Sequence, residues 1–532
     1  MSIISVKSLD VFLGFKKVPV LRNISFTLKK GEALLVVGPT GSGKTTLLQT
    51  LSGVIPELVY GHVTGEINIA GHNPKEEGLR GLAGDVGIVF QDPEAQVVMD
   101  TVFEEVAFPL ENLLYGRDRI IERVNRSLEV TGLSQYSSEE TDTLSTGLKQ
   151  RLAIASALSY EPKVLLLDEP TAHIDPKSAR EIYSIVKAYK DSGGTLVIVE
   201  HRLEYIEGII DKILFIRGGE GILCRTFDEL VKLVGLESLI EAGVWLPRNL
   251  LGKLTRDAPV VRSGQVQSGA PTVRAERLSV TIDGRTILEG VSFRAREGEI
   301  IAVVGPNGSG KTTLLKTVAG FTKYTGELSV MGGSPNYRKV AFATQVPELQ
   351  FTERTVLEEV ASPLLLRGFS KSKAMKTAVK ELEKRGLAHL SNRLLYELSQ
   401  GEKRLISLLE VELLDRKIYL LDEPTFGLDL RNTLNVLKWV ERLAKSGKTI
   451  LLVTHDSWVL PLIQSRIIGL SKGRVVFQGT LPELLLSRNI WRELAFLPPS
   501  ELSNASGLGE AQELINSYRS RVEAIYGFFE KT

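Results

Sequence analysis

A glycine-rich segment that occurs twice constrains this chain more than any other feature of its sequence. The first copy comprises Gly38, Pro39, Thr40, Gly41, Ser42, Gly43, Lys44, Thr45 and Thr46, and the second comprises Gly305, Pro306, Asn307, Gly308, Ser309, Gly310, Lys311, Thr312 and Thr313. Each copy follows an apolar run and precedes a helix-like segment, which is the setting of a phosphate-binding loop. Its glycines let several N–H groups converge on one point, where the helix N-terminus adds positive charge. Each copy is therefore predicted to bind nucleotide phosphates through its lysine and Mg²⁺ through Thr45 or Thr312.

The rest of the chain repeats as well. Lys44 and Lys311 lie 267 residues apart, whereas four later pairs lie 254 residues apart. These pairs are Gln91 and Gln345, Ser145 and Ser399, Asp168 and Asp422, and His201 and His455. The difference of 13 residues predicts an insertion in the first half, around residues 54–80. We expect two domains, 1–257 and 273–532, the second ending in a helical segment, with a flexible polar linker at 258–272.

The order of sequence patterns is the same in both halves. Strands of alternating polarity come first, then the glycine-rich loop, then a helix-rich stretch at 102–135 or 355–390, and finally apolar strands alternating with helices. Continuous apolar runs such as KVLLLDE are typical of strands in a sheet that is covered on both faces. The pattern predicts an α/β core with a helical insertion, twice.

Composition excludes several classes of protein. The chain of 532 residues carries 65 basic and 64 acidic side chains, so it has no overall field for nucleic acid. Cys224 is the single cysteine, which excludes disulfides within the chain and multi-cysteine zinc or iron–sulfur sites. We find no signal-peptide pattern and no apolar run long enough to span a membrane, so we expect any membrane role to come through a partner.

Two apolar strands end in paired carboxylates, Asp168-Glu169 and Asp422-Glu423. Ligands of open α/β folds bind at this edge of the sheet, so we expect the aspartates to hold Mg²⁺ and the glutamates to polarise the attacking water. Such pairs are also common as solvated strand ends. Their recurrence beside both phosphate-binding loops favours the functional interpretation.

Each half also has a histidine and a serine at matched positions. His201 and His455 lie 33 residues beyond the aspartates, at the ends of apolar strands, and are predicted to contact the γ-phosphate rather than only to end a strand. Ser145 with Gly147, and Ser399 with Gly401, open helix-like segments. These serines are predicted to cap their own helices, to contact a phosphate, or both.

In this order, and twice, the loop, the glutamine, the LSxG signature, the DEPT strand and the histidine resemble the ATP-binding-cassette (ABC) family over nearly the whole chain. The resemblance implies two P-loop NTPase domains of the ABC type, each with an antiparallel β subdomain, that pair head to tail and hydrolyse ATP with Mg²⁺. Asp175 and Asp429 match the family's D-loop. One site would combine Lys44, Gln91, Asp168, Glu169 and His201 with Ser399 and Gly401, and the other would combine Lys311, Gln345, Asp422, Glu423 and His455 with Ser145 and Gly147. The two glutamines are expected to contact Mg²⁺ as well.

The chain departs from the family pattern in two places. Thr146 and Gln400 replace a glycine of the signature. The aromatic residue on which the family stacks adenine is matched in the first half by Phe15, or alternatively Phe12, whereas the second half has Ile282 near that position. We expect the second site to bind nucleotide more weakly and both sites to be catalytically competent.

The segments QDPEAQ (91–96) and TVFEEVAF (101–108), with TVLEEVA in the second half, are similar to the ATPases of energy-coupling factor (ECF) importers of vitamins and metal ions. That resemblance implies a transmembrane coupling protein and a substrate-binding membrane protein as partners, a groove after each glutamine for the coupling protein, and a peripheral location at the cytoplasmic face of the cell membrane. A ribosome-associated tandem cassette, a DNA-repair cassette protein and a sugar-importer ATPase are the alternatives. The terminal stripe is expected to pack as a helix on protein rather than to anchor in a membrane, and it comprises Leu514, Tyr518, Val522, Ile525 and Phe529.

Overall fold

A computed structural model describes residues 2–14, 18–171, 174–201, 203–206, 208–245, 271–499 and 501–529. The chain divides into two compact units, Met1–Leu251 and Gly252–Thr532. Residues 258–270 of the predicted linker lie outside the described residues, so the predicted domain boundaries stay a prediction.

The first unit contains two sheets. Its strands are β1 (Ser2–Leu13), β2 (Leu21–Lys29), β3 (Ala33–Val37), β4 (Gly61–Ile69), β5 (Val86–Val89), β6 (Val164–Asp168), β7 (Thr195–Val199), β8 (Lys212–Arg217) and β9 (Glu220–Cys224). An antiparallel sheet has the order β2-β1-β4, and a second sheet has the order β5-β6-β7-β3-β8-β9. All pairs of the second sheet are parallel except that of β8 with β9. Every residue of β3, β6 and β7 is buried, as their unbroken apolar runs predict.

Helices cover this core and also form the predicted helical insertion after β5. They are the P-loop helix (Lys44–Leu51), Val54–Glu57, Pro74–Leu82, Val102–Asn112, Arg117–Val130, the first signature helix (Thr146–Leu158), Pro176–Asp191, Phe227–Val234 and Leu236–Glu241. Val102, Leu128 and Leu152 belong to one buried cluster that joins three of these helices into a helical subdomain. A capping box of Thr101 and Glu104 fixes where the first of the three begins.

The second unit repeats this architecture. Its strands are β10 (Pro271–Ile282), β11 (Arg285–Arg296), β12 (Ile300–Val304), β13 (Thr325–Val330), β14 (Val340–Ala343), β15 (Ile418–Asp422), β16 (Thr449–Val453), β17 (Arg466–Ser471) and β18 (Arg474–Gly479). The sheet orders are β11-β10-β13 and β14-β15-β16-β12-β17-β18, as in the first unit. Its helices are Lys311–Ala319, Val356–Leu366, Lys371–Lys384, the second signature helix (Gln400–Leu413), Leu430–Lys445, Leu481–Leu486, Arg488–Glu493 and Leu508–Phe529. The predicted fold class is confirmed.

The predicted insertion lies between the P-loop helix and β5. The first unit has the helix Pro74–Leu82 before β5, where the second unit has only the short turn Tyr337–Lys339 before β14. β4 also has nine residues, whereas β13 has six. The 13 extra residues therefore lengthen one strand of the antiparallel sheet and add the helices Val54–Glu57 and Pro74–Leu82, and the strand order of both sheets stays the same.

The stripe predicts a helix that packs on its own domain or on the other cassette, and the terminal helix Leu508–Phe529 packs on its own unit. Ala511 and Ile515 belong to a buried cluster against which Leu514 and Tyr518 pack. The Arg519 guanidinium donates through Nε to the carbonyl oxygen of Pro461 over 3.2 Å. No helix in the described part of the chain is both long enough and apolar enough to span a membrane. The side chains of Ile525 and Phe529 lie outside the described set.

A pair of buried acids in the second helical subdomain makes stability depend on pH. Burial, reinforced by the charge of Glu359, raises the pKa of Glu410 to about 8. Glu410 lies on the second signature helix and Glu359 on the helix Val356–Leu366. Because the pKa of Glu410 is higher in the folded chain than in the unfolded chain, folding favours the protonated acid and this stabilisation disappears as the pH rises toward 8.

We therefore expect Glu410→Gln to stabilise the second unit relative to the parent chain by an amount that grows as the pH rises. Between about pH 5 and pH 8 the difference in unfolding free energy should change by a few kcal/mol, since one pKa unit corresponds to about 1.4 kcal/mol. Thermal unfolding of the parent chain and of Glu410→Gln at several pH values measures this difference in stability. A difference in Tm that stays constant with pH would contradict the assignment.

Candidate nucleotide sites

Each glycine-rich loop is pressed against the main sheet of its unit. A Cβ atom on Gly38 would overlap the carbonyl oxygen of Ile216 in β8, and one on Gly305 would overlap that of Leu470 in β17. Gly43 has a φ of +100°, and a Cβ there would lie 2.7 Å from a methyl group of Leu21. Side chains are therefore excluded for steric reasons at the positions where the loop must curl.

The two lysines of the loops occupy matching places. Lys44 Nζ donates to the carbonyl oxygens of Gly38 at 3.0 Å and Pro39 at 2.9 Å. Lys311 Nζ donates to those of Gly305 at 3.0 Å and Pro306 at 2.8 Å. Both lysines are buried, and each directly follows the last glycine of its loop in the sequence. Each lies where it would face phosphates held by the loop.

A hydroxyl and a carboxylate meet beside each loop. Thr45 Oγ1 donates to Asp168 Oδ1 over 3.3 Å, and Thr312 Oγ1 donates to Asp422 Oδ2 over 2.7 Å. Asp168 ends β6 and Asp422 ends β15, and both are buried. Asp422 Oδ1 is buried with no hydrogen-bond partner among the described residues.

This donor set fits Mg²⁺, which prefers oxygen ligands and takes one or two carboxylates together with substrate phosphates. Within the described ranges, no group of three or more His, Cys, Asp or Glu side chains could hold a metal ion without such phosphates. Burial, with the charge of Glu169, raises the pKa of Asp168 to about 7, and burial raises the pKa of Asp422. A cation at either site would therefore offset the cost of a buried negative charge.

Two further predicted groups meet at the glutamate of the first site. Gln91 Nε2 donates to Glu169 Oε2 over 3.0 Å, and His201 Nε2 lies 3.2 Å from Glu169 Oε1. Glu169 has a φ of +46°, and its N–H donates to the Val199 carbonyl oxygen over 2.9 Å. This left-handed conformation, uncommon outside glycine, turns the chain immediately after β6.

The left-handed turn and the contact between histidine and glutamate recur at the second site. Glu423 has a φ of +51°, its N–H donates to the Val453 carbonyl oxygen over 3.0 Å, and His455 Nε2 lies 3.3 Å from Glu423 Oε1. Burial, together with the charges of Asp456 and Asp422, raises the pKa of Glu423. A carboxylate whose pKa is raised toward neutrality is a stronger base for water at physiological pH.

The signature serines cap their helices. Ser145 Oγ accepts from the N–H of Leu148 over 3.4 Å. Ser399 Oγ accepts from the N–H of Glu402 over 3.4 Å and donates to the Glu402 carboxylate over 2.8 Å. The capping role is confirmed in both units, while the contact of Ser145, Gly147, Ser399 and Gly401 with phosphate stays a prediction.

The adenine contacts are only partly described. Phe15 lies outside the described residues. Phe12 lies in β1, and the centroid of its ring lies 6.1 Å from that of the His62 imidazole. Ile282 ends β10 and is 42% exposed. The weaker binding expected of the second site stays a prediction.

Residues 90–96 and 344–350, which contain Gln91 and Gln345, are called the glutamine loops below. Sequence reasoning missed the bonds between each signature helix and its glutamine loop. Lys149 Nζ lies 2.6 Å from Glu94 Oε2, and Lys403 Nζ lies 2.8 Å from Glu348 Oε1. The two pairs are related by the same offset of 254 residues. A search for oppositely charged residues that recur at this offset could therefore have predicted them.

Comparison with known proteins also finds one family twice in this chain. A family described as ABC transporter matches residues 21–172 and 288–426. A Bacillus subtilis protein, provisionally named the HMP/thiamine import ATP-binding protein YkoD, is 32% identical over 88% of this chain and 89% of its own. An Enterococcus faecalis protein, provisionally named an ABC transporter ATP-binding protein, is 30% identical over 93% of this chain and 94% of its own. The solved archaeal ribosome recycling factor aABCE1 is similar in fold, with a TM-score of 0.59 at 23% identity over 90% of each chain.

Proposed function

Because this chain belongs to the ABC transporter family, we propose that it is the ATP-hydrolysing subunit of a membrane importer and carries two nucleotide sites. Domains of this family bind ATP with Mg²⁺, and the chain is an ATPase. The observation that carries the two-site proposal is the repeated juxtaposition of loop lysine, Thr–Asp pair and Glu–His pair. Neither unit has lost a member of this set.

At each site the chain's own residues would position the reactants and stabilise developing charge, which is most of the catalysis of phosphoryl transfer. Lys44 and Lys311 would bind the β- and γ-phosphates. Glu169 and Glu423 would accept the proton of the attacking water, with each carboxylate oriented by the neighbouring histidine. Mg²⁺, when bound by the Thr–Asp pair and the loop glutamine, supplies the charge that offsets the phosphate oxygens. We further propose that Ser145 with Gly147, and Ser399 with Gly401, complete the site of the other cassette in a head-to-tail pair.

A groove beside the glutamine loop of the second unit supports a membrane partner. It has a volume of about 830 Å³, and its apolar lining includes Ile282, Phe321, Phe342 and Leu349. Phe321 is 59% exposed and Leu349 is 79% exposed. An amphipathic helix binds such a groove through its apolar face. The groove therefore suits the cytoplasmic helix of a transmembrane coupling protein.

We extend the proposal to an importer of the ECF type, with a transmembrane coupling protein and a substrate-binding membrane protein as partners. The QDPEAQ segment and the import role in the name of the Bacillus subtilis relative support this assignment. The chain would then lie at the cytoplasmic face of the cell membrane. The likeness to the ribosome recycling factor concerns the fold alone.

Purification of the tagged chain from detergent-solubilised native membranes tests the proposal. We expect small hydrophobic membrane proteins to copurify, and the identity of the substrate-binding partner would indicate the cargo. Recovery with ribosomes, and with nothing from the membrane fraction, would refute the importer assignment in favour of a translation role.

Leu349→Asp is expected to release the membrane partners, because a carboxylate in the apolar groove would have to be desolvated when a helix docks. We expect at least about a tenfold loss of copurified partner, corresponding to about 1.4 kcal/mol, with ATP binding retained. Leu508→Asp is the matched control, since Leu508 is 54% exposed and lies outside the groove. Equal recovery with both variants would contradict docking at this groove.

A further inference from the structure

The second signature helix buries an arginine where the first carries a glutamine. Arg404 and Gln150 lie 254 residues apart and occupy the same place in the repeat. Both side chains are almost fully buried, with 1% of each residue exposed. A charged group in such a place needs partners, because a buried unpaired charge is costly.

The partners of Arg404 are carbonyl oxygens of the glutamine loop. Its Nη1 donates to the carbonyl oxygen of Thr344 over 2.6 Å, and its Nη2 donates to that of Gln345. In the first unit, Gln150 Nε2 donates to the carbonyl oxygen of Phe90 over 3.4 Å. Hydrogen bonds from a charged donor are about twice as strong as neutral ones, and the guanidinium makes two of them in a fixed fork.

A second difference lies one turn further along the same helix face. Ser407 Oγ donates to the side-chain oxygen of Gln350 over 3.0 Å, whereas Ala153 is the matching residue of the first unit. Residues three apart on a helix share a face, so Arg404 and Ser407 both face the loop. Besides the bond from Lys403 to Glu348, the second glutamine loop is thus bonded to its signature helix by Arg404 and Ser407, two residues that the first unit does not have.

Arg404 is also close enough to the site's acids to interact with their charges. Burial lowers the pKa of Arg404 to about 10, opposed chiefly by the charges of Asp422 and Glu423. The guanidinium is therefore charged at neutral pH. A fixed positive charge in this position offsets part of the repulsion between the buried carboxylates.

We propose that Arg404 is a positioning residue that holds the glutamine loop of the second site in place for ATP hydrolysis. This rests on the proposed role of Gln345, whose own backbone carbonyl Arg404 binds. We call the two bonds from the Arg404 guanidinium the clamp. At the matching place the first loop has one bond, from the neutral amide of Gln150 over 3.4 Å, so it is held less firmly there. The two ATP sites therefore differ in how firmly their loops are organised before nucleotide binds.

Hydrogen–deuterium exchange of the nucleotide-free full chain tests the clamp without reference to activity. Arg404→Gln, which installs the residue of the first unit, is expected to speed exchange across residues 344–350 while residues 90–96 stay unchanged. The reciprocal Gln150→Arg is expected to slow exchange across 90–96. Arg404→Lys, which keeps the charge, should lie between Arg404→Gln and the parent chain. Unchanged exchange in the loop of Arg404→Gln would overturn the proposal.

Kinetics then ask whether the clamp acts through Gln345. In a Glu169→Gln chain, residual turnover reports the second site, and Arg404→Gln is expected to lower kcat by about tenfold with KM for ATP within about twofold, as a displaced catalytic group does. Gln345→Ala should lower kcat too, and the double variant should lose no more than the larger single loss, since the two residues act as one unit. If Glu169→Gln leaves no measurable turnover, the exchange experiment decides.

These kinetics distinguish failure of the proposed role of Gln345 from failure of the positioning role of Arg404. A harmless Gln345→Ala would refute the proposed role of the glutamine, and the positioning role of Arg404 with it. Losses that multiply in the double variant would refute only the positioning role and leave the proposed ATP site intact.

Discussion

Glu423→Gln is expected to lower turnover at the second site by about 10²–10⁴-fold, the usual cost of losing a general base. Glutamine has nearly the same shape as glutamate, but it cannot take a proton from the attacking water. Glu423 also lies where burial raises its pKa, and His455 Nε2 lies 3.3 Å from its carboxylate. The loss should therefore fall on kcat, while binding of ATP is retained.

Single-turnover hydrolysis and equilibrium binding of a fluorescent ATP analogue separate these two effects. Glu169→Gln is expected to have the same effect at the first site. Glu493→Gln serves as the control, because Glu493 is exposed on a surface helix and should leave turnover unchanged. Because the other site would still contribute about half of the total turnover, the effect of Glu423→Gln is measured in a Glu169→Gln chain and that of Glu169→Gln in a Glu423→Gln chain. A further loss of less than about twofold would remove that glutamate from the proposed role, since this is far below a general base's share.

Gly305→Ala is expected to abolish nucleotide binding at the second site, with a rise in Kd of at least about a hundredfold, or 2.7 kcal/mol. The new methyl group would overlap the carbonyl oxygen of Leu470, which belongs to a core strand and cannot move without displacing the sheet. The loop would have to shift instead, so its N–H groups would no longer converge on the phosphates.

Gly308→Ala in the same loop is the matched control. Gly308 has a φ of +73°, but a Cβ there meets nothing within 4 Å. Its cost is then only the left-handed backbone strain of about 1–2 kcal/mol. A check first establishes that both variants unfold at temperatures close to that of the parent. Binding titrations then compare the nucleotide affinities of Gly305→Ala and Gly308→Ala. Equal losses of affinity would show that strain, rather than contact with β17, sets the requirement for glycine.

Local patterns predicted much of this fold, because the interactions behind them are short in range. Unbroken apolar runs predicted β3, β6 and β7, since a strand buried on both faces needs no polar side. Serine followed by small residues predicted the caps of the signature helices, since a cap joins groups three residues apart. Repeat arithmetic placed the insertion before β5.

By itself, then, the sequence determined that the chain has two similar α/β units, where the phosphate-binding loops lie, and which carboxylates end the strands beside them. Only the tertiary structure decided which groups touch: His201 with Glu169, Thr45 with Asp168, and Arg404 with the carbonyl groups of its glutamine loop. Their partners lie tens of residues away or more along the chain. No local pattern specifies such distances, because they depend on how sheet and helices pack together. Burial decided the pKa shifts for the same reason, since desolvation is a property of the packed molecule and not of a residue's neighbours in sequence.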